Sequence, residues 1–398
     1  MASGKIGGGY RIEGRQVVDD QSRGSRVRPF RLLAVCAATE WGGNEKWFLR
    51  TCEGLAHRGA DIDLVVRIPE AYRVHLRTPH APLRLHALPL RGDGDLYSLA
   101  RLIGYARKAD IILASKERGF LLGGLAGKIA GVPVVLRHGV VRALRDKLSD
   151  RLRYGILPSG FIVNAAEIRD VWQRRPWMRD KTIHVMYNGV DAPGPLDPEA
   201  RRGLREELGV GPDTLLLVGV GRLATDKRWN WFIDATADLL DRGHDITSVV
   251  FGKGKMRQAF EARIAERGVE GRFRLLGFRP DVEDWVGAAD MLVHPSELEG
   301  LPNVVLEAMG RAVPAVSTRA GGISEIITSG EQALLCDVDD YAGFLDGIER
   351  LVRDPALRER LGAAGLRFVR EHHGWEAMVD LVEPILTDLL GTKDGGDG

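Results

Sequence analysis

Cysteine is scarce in this chain: Cys36, Cys52 and Cys336 are the only three in 398 residues. Odd in number, scattered and without a close pair, they exclude a disulfide framework and the ligand spacing of a zinc or redox site. They fit a reducing, cytoplasmic setting. No apolar run approaches the roughly 20 residues of a membrane-spanning helix, and the N-terminus lacks the apolar segment of a secretory signal. Aromatics amount to 7% and form no RNA-binding pattern. With no recognition helix or zinc finger in view either, no nucleic-acid partner is expected.

Net charge is also nearly absent, at +1, but the small total conceals a division. Residues 1–195 carry 32 Lys+Arg against 19 Asp+Glu, a formal +13, and the remainder carries 24 against 36, or −12. A basic first half favours anionic partners such as a phospholipid surface or a phosphorylated acceptor. The length exceeds what one core holds, so two domains are expected.

The pattern along the chain supports that division. Residues 1–29 are rich in Gly and Arg without apolar periodicity and read as a flexible tail. From Phe30 short apolar runs alternate with amphipathic stretches: Arg31–Ala37, Asn44–Arg58, Ile62–Val66, Ile111–Ala114, Leu121–Ala130 and Val132–Leu136. This is βαβ order, which implies a parallel sheet. A second series begins near Leu215 and continues through Ser248–Phe251, Phe273–Leu276, Asp290–His294 and Pro314–Ser317. The fold class is therefore α/β, two Rossmann-like doubly wound domains facing across a cleft. The expected divisions are 30–195, 196–374 and a terminal helix with its tail at 375–398. A further helix is expected over Val140–Tyr154, where Val140, Val141, Leu144, Leu148 and Leu152 fall at helical spacing among Arg142, Arg145, Lys147, Arg151 and Arg153. Such a surface suits peripheral contact with an anionic membrane.

Chemistry concentrates in the second half. In Ser296-Glu-Leu-Glu-Gly-Leu-Pro-Asn-Val-Val-Leu-Glu307, Glu299 and Glu307 stand eight residues apart. Pro302 and Asn303 suit a helix start, which leaves Glu299 on the loop and Glu307 about a turn into the helix. The amides of Gly300, Leu301, Asn303 and Val304 are then placed to meet an anion at the positive end of the helix dipole. Upstream, Gly219-Val-Gly-Arg222-Leu-Ala-Thr-Asp-Lys227 follows a strand and sets two cations at a sheet edge, where they suit a diphosphate.

Together with Phe251-Gly-Lys-Gly254, Leu276-Gly-Phe-Arg-Pro-Asp-Val282, Ala289-Asp-Met-Leu-Val-His-Pro-Ser296 and Ala320-Gly-Gly-Ile-Ser-Glu325, these residues resemble the retaining glycosyltransferases of GT-B fold that carry a Glu-x7-Glu motif. The resemblance spans residues 30–390 and is densest over 215–325. It implies a metal-independent enzyme without a cofactor, moving a sugar from a UDP- or GDP-linked donor to an acceptor. It further implies that Arg222 and Lys227 hold the diphosphate, Glu307 the ribose hydroxyls and Glu299 the transferred sugar, with Phe278 and Arg279 beside the base. In the first domain Trp41-Gly42-Gly43-Asn-Glu-Lys46 resembles the family's glycine-rich loop, and His138 its active-site histidine. Two positions depart from the pattern: Arg228 stands where glycine is common, and Asn164 where serine is.

Other readings have weaker support. Gly219-Val-Gly-Arg-Leu-Ala also fits a dinucleotide fingerprint, but Ser248–Phe251 ends in Gly252-Lys253 rather than in the acid that binds an NAD ribose. A glycosidase pair would leave Arg222 and Lys227 without a role. An inactive nucleotide-sugar-binding module is a further alternative. Asp337-Val-Asp339 imitates a metal motif, but a cap for the helix that follows is the simpler account. His372 and His373 read as an exposed helix end.

Overall fold

The computed structural model describes residues 30–77 and 83–391; the expected tail, 1–29, lies outside them. The first domain is a seven-stranded parallel sheet of β1 (Arg31–Cys36), β2 (Asp61–Val66), β3 (Leu83–Ala87), β4 (Ile111–Ser115), β5 (Val134–His138), β6 (Gly160–Val163) and β7 (Ile183–Val185), in the order β3-β2-β1-β4-β5-β6-β7. The second holds six strands: β8 (Leu215–Val220), β9 (Ile246–Phe251), β10 (Phe273–Gly277), β11 (Met291–His294), β12 (Ala315–Thr318) and β13 (Leu334–Cys336), in the order β10-β9-β8-β11-β12-β13. Both sheets are buried on both faces. That is why β1 and β8 are almost wholly apolar rather than alternating.

Each sheet reverses its winding beside its first strand, between β1 and β4 and between β8 and β11. The crevice at the carboxyl ends of such strands is where ligands bind in this architecture. Four apolar clusters fill the layers, one on each face of each sheet. Two glycines of the second domain, Gly219 in β8 and Gly254 after β9, are there for packing. A Cβ on Gly219 would lie 2.6 Å from the Trp229 ring, and one on Gly254 would lie 2.2 Å from the Leu223 carbonyl.

The chain crosses between the domains twice. Val190 donates its backbone N–H to the His373 carbonyl at 2.8 Å where the crossings lie side by side. The last helix, Trp375–Gly391, returns to the first domain. There Met378, Val379, Val382 and Leu386 enter the cluster that holds Trp47 and Phe48. Gly54 makes this approach possible, since a Cβ there would fall 2.5 Å from Val379 Cγ2. Burying four such side chains is worth about 1.5–3 kcal/mol each.

Two local expectations fail. Residues 140–147 form no helix. Helical backbone begins at Leu148 and passes into a π-helical turn over Arg151–Ile156. The expected stripe is split, with Leu144 buried and Leu148 80% exposed. The Asp150 carboxylate accepts from the Arg145 backbone N–H at 2.9 Å, and the Leu144 carbonyl is taken by the Arg175 side chain at 2.7 Å. These bonds to side chains replace the helical ones. Likewise only His372 is exposed at its helix end; His373 is buried, its Nδ1 3.2 Å from the Asn188 carbonyl.

Candidate active site

The two switch points face one another across a cleft of about 230 Å3. The second domain supplies Val220 from the end of β8, His294 from the end of β11, Lys227, Glu299, and Leu301 to Val304 at the start of the helix Asn303–Gly310. The first domain supplies Gly43 and Asn44 from the start of the helix Gly43–His57, Arg137 and Gly139 around the end of β5, and Asn164 after β6. Six of the expected residues, Gly43, Lys227, Glu299, Leu301, Asn303 and Val304, thus line one space.

Glu299 is the electrostatic centre of the second-domain wall. Lys227 Nζ is hydrogen-bonded to Glu299 Oε1, and His294 Nε2 lies 3.0 Å from the same oxygen. Burial works to raise the carboxyl. The hydrogen bond from His294 and the charge of Lys227 outweigh it and hold the group down at about 2. It is a carboxylate at any physiological pH.

Glu307 is held by the other domain. Lys46, one turn into the helix Gly43–His57, donates to Glu307 Oε1 at 3.1 Å and to Glu283, and lies 3.8 Å from Asp191. Burial would lower the Lys46 amine, but Glu307 and Glu283 prevail and keep it above its ordinary value. Asp191 is in turn paired with Arg77. The expected Glu-x7-Glu spacing therefore places one carboxylate on the cleft and the other against the facing domain.

The first-domain wall is a chain of amides around a buried guanidinium. Arg137 stacks over Trp47 at 4.8 Å and donates to Asn44 Oδ1 at 2.5 Å and Asn188 Oδ1 at 2.8 Å. Asn188 then reaches Asn303 in the other domain. Close approach explains two glycines. A Cβ on Gly43 would lie 2.7 Å from Asn303 Nδ2, and one on Gly300 would lie 2.3 Å from the Gly139 carbonyl. Asn164 is buried beside Gly300, and its Oδ1 has no hydrogen-bond partner.

The remaining expected residues lie apart from this space. Gly42 precedes the helix Gly43–His57 as its N-cap. Arg222 is exposed and bonded to Asp226 at 3.2 Å. Arg279 pairs with Asp281 and stacks over Trp285 at 5.0 Å. His138 turns into a cluster with Phe120, Tyr154 and Trp172; its Nε2 lies 2.9 Å from the Val140 carbonyl, and burial pushes its pKa down to about 3. Its neighbours Arg137 and Gly139 are the ones that line the cleft. Sequence reading assigned no role to Arg137, Asn44, Asn188, Lys46 or His294. Only Asn44, Lys46 and His294 fell within recognised motifs.

The two departures also have physical accounts. Arg228 adopts φ 47°, a left-handed conformation that costs a non-glycine residue about 1–2 kcal/mol. It is held there by Glu297, Asp339 and the Trp231 ring. Asn164 occupies the contact between the domains already described. Asp340 caps the helix Tyr341–Arg353 by accepting from the Gly343 N–H at 2.8 Å. Among the described residues no three His, Cys, Asp or Glu side chains gather as a metal site.

Comparison with known proteins agrees with this architecture in both halves. Residues 201–368 match the family model of glycosyl transferases group 1, and residues 41–192 match that of glycosyltransferase family 4. The alpha-D-kanosaminyltransferase of Streptomyces kanamyceticus is 27% identical over 333 residues, covering 74% of this chain and 84% of the relative. The lipopolysaccharide core biosynthesis glycosyltransferase LpsE of Rhizobium meliloti is 26% identical, covering 85% and 94%. In fold, the chain superposes on Anabaena Alr3699/HepE, crystallised with UDP and glucose, with a TM-score of 0.78 at 20% identity, covering 90% of this chain and 100% of that one. Two facing α/β domains, matched in turn by a glycosyltransferase family model each, leave one assignment: the chain belongs to the GT-B glycosyltransferases.

Proposed function

We propose that this glycosyltransferase takes its sugar from a UDP- or GDP-linked donor and transfers it with retention of anomeric configuration, without a metal or other cofactor. The observation that carries the reading is the convergence of Lys227, Glu299 and the start of the helix Asn303–Gly310 on the cleft, opposite the uncapped start of the helix Gly43–His57. A diphosphate placed there meets a lysine and two helix N-termini, which stabilise the charge that grows on the leaving phosphate. As the bond from the anomeric carbon to the phosphate oxygen breaks, the acceptor oxygen bonds to that carbon from the same face. Its proton passes to the departing diphosphate. No side-chain nucleophile is needed, so the protein contributes position and field. Arg222 completes the diphosphate site by swinging from Asp226, Glu307 takes the ribose hydroxyls, and His138 shapes the sugar pocket from beneath. Glycosyltransferases that resemble this chain are named for 2-deoxystreptamine, for lipopolysaccharide core biosynthesis and for alpha-D-GlcNAc-diphosphoundecaprenol. The amide-lined first-domain wall suits a hydroxyl-rich acceptor of that kind.

A screen of UDP- and GDP-linked sugars, scoring thermal stabilisation and slow donor hydrolysis with and without EDTA, tests this. We expect stabilisation by one nucleotide class and turnover that survives EDTA. Stabilisation by NAD(P) alone, or metal-reversible loss of turnover, would overturn it.

The basic first domain supports contact with an anionic membrane through residues 140–156, where Val140, Leu148 and Ile156 are exposed. Arg142, Arg151 and Arg153 there are each paired with an acid, which reduces the attraction to lipid. Co-sedimentation with phosphatidylglycerol but not phosphatidylcholine vesicles, weakened by salt, is the expected result; equal recovery in solution with both counts against it.

A further inference from the structure

His294 has no task in the reading above, yet it is among the most buried polar residues of the cleft, at 2% exposure. It ends β11 and is followed by Pro295, which restricts its backbone, while burial confines its ring. The two ring nitrogens of a histidine are distinct sites. Here Nδ1 has no hydrogen-bond partner, while Nε2 lies 3.0 Å from Glu299 Oε1. An ionised carboxylate only accepts, so Nε2 carries the proton and donates it. The ring is therefore in place for Glu299.

Lys227 meets the same oxygen, Oε1, and cannot keep that pairing unchanged when a diphosphate arrives. A doubly charged anion attracts the ammonium more strongly than one carboxylate does, and the long lysine stem allows the head to move. The imidazole, locked at the end of a buried strand, cannot follow.

We infer that Glu299 exchanges partners as the donor binds: the diphosphate draws Lys227 away, and His294 keeps the carboxylate aimed at the transferred sugar. The inference rests on the donor-site reading given above. His294 is thus a positioning residue. It acts on the sugar half of the donor through Glu299 and has no contact of its own with the nucleotide.

The test uses the full chain with UDP and UDP-glucose as probes. His294→Phe keeps the ring volume and removes the donor; His294→Gln restores an N–H. UDP affinity of His294→Phe should stay within about twofold of wild type, while UDP-glucose hydrolysis falls about tenfold or more, the scale of one charge-assisted hydrogen bond. His294→Gln should recover part of that loss. In a Glu299→Ala background His294→Phe should cost nothing further, because the two act as a unit. Unchanged hydrolysis, equal losses for UDP and UDP-glucose, or additive losses in the double variant would each overturn the inference. Melting curves identify a Phe variant that fails to fold, and then the Gln variant alone decides by the same comparison. Failure of the donor-site reading looks different: Lys227→Met would bind UDP as tightly as wild type.

Discussion

Glu299 and Glu307 lie on one loop and the helix that follows it, and each is met by a lysine, but the lysines come from different domains. Lys227 belongs to the same domain as Glu299, so that pair survives any relative movement of the two halves. Lys46 belongs to the first domain, and its pairs with Glu307 and Glu283 hold only while the halves are together. One carboxylate is thus conditioned locally, the other by closure. The pair proposed to sit next to the chemistry is insulated from domain motion, whereas the pair proposed to meet the ribose senses it.

The sharpest way to break this contrast is to remove the local cation. Lys227→Met should reduce sugar transfer about 100-fold, on the order of 3 kcal/mol, the scale of losing one stabiliser of developing charge. The radius of gyration in solution should not change. A variant that opened the domains would show that Lys227 is not local after all.

Next in size is the platform that carries Lys46. Val379 packs on Gly54 of the same helix, and Val379→Asp would bury an unpaired carboxylate in that contact. We expect a loss of about 3 kcal/mol, read as a lower melting temperature. UDP binding should weaken in step, because Lys46 is displaced while the Glu299 pair is untouched. Unaltered melting would mean that the last helix is not part of the first-domain core.

Lys46→Met sharpens the comparison directly. It leaves Glu307, Glu283 and Asp191 facing one another, so the halves should part and scattering curves expand. Activity should fall about tenfold, near 1.4 kcal/mol. An unchanged curve together with full activity would show that the pairs across the cleft are incidental.

Much of this arrangement was legible in the sequence because it depends on local signals. Short apolar runs alternating with amphipathic stretches marked the strands at the switch points, and Pro302-Asn303 marked the helix start that separates Glu299 from Glu307. The readings that failed depended on distant partners. The period of Val140–Tyr154 was helical, but Asp150 and Arg175 took the backbone groups that a helix would have used. Arg137 could not be foreseen, because Asn44, Trp47 and Asn188 come from separate parts of the chain and make a site only when folded together. Lys46 lay within a recognised motif, yet its partners are more than 140 residues away.

The smallest effect concerns acid, and it separates the local pair from the crossing between domains. Glu299 is held at about 2, so mild acid does not discharge it. His373 behaves otherwise. Burial pushes it down to about 4, against the hydrogen bond to the Asn188 carbonyl, which favours its charged form. In the unfolded chain it takes a proton near 6.5, so below that pH the unfolded state binds more protons than the folded one. Stability is therefore intact above about pH 6.5 and falls progressively toward pH 4, by about 1 kcal/mol at pH 5 after allowance for solvent relaxation. His373→Asn keeps an N–H for the Asn188 carbonyl but cannot titrate. It should match wild type at pH 7.5 and lose less stability at pH 5, as measured by urea unfolding at both values. Because His373 lies where the chain crosses between domains, the acid-weakened wild type should also expand in scattering before its Glu299 site loses UDP affinity. If the variant and wild type weaken equally between pH 7.5 and 5, the acid sensitivity lies elsewhere, with His138, pushed down to about 3 by its own burial, the next group to replace.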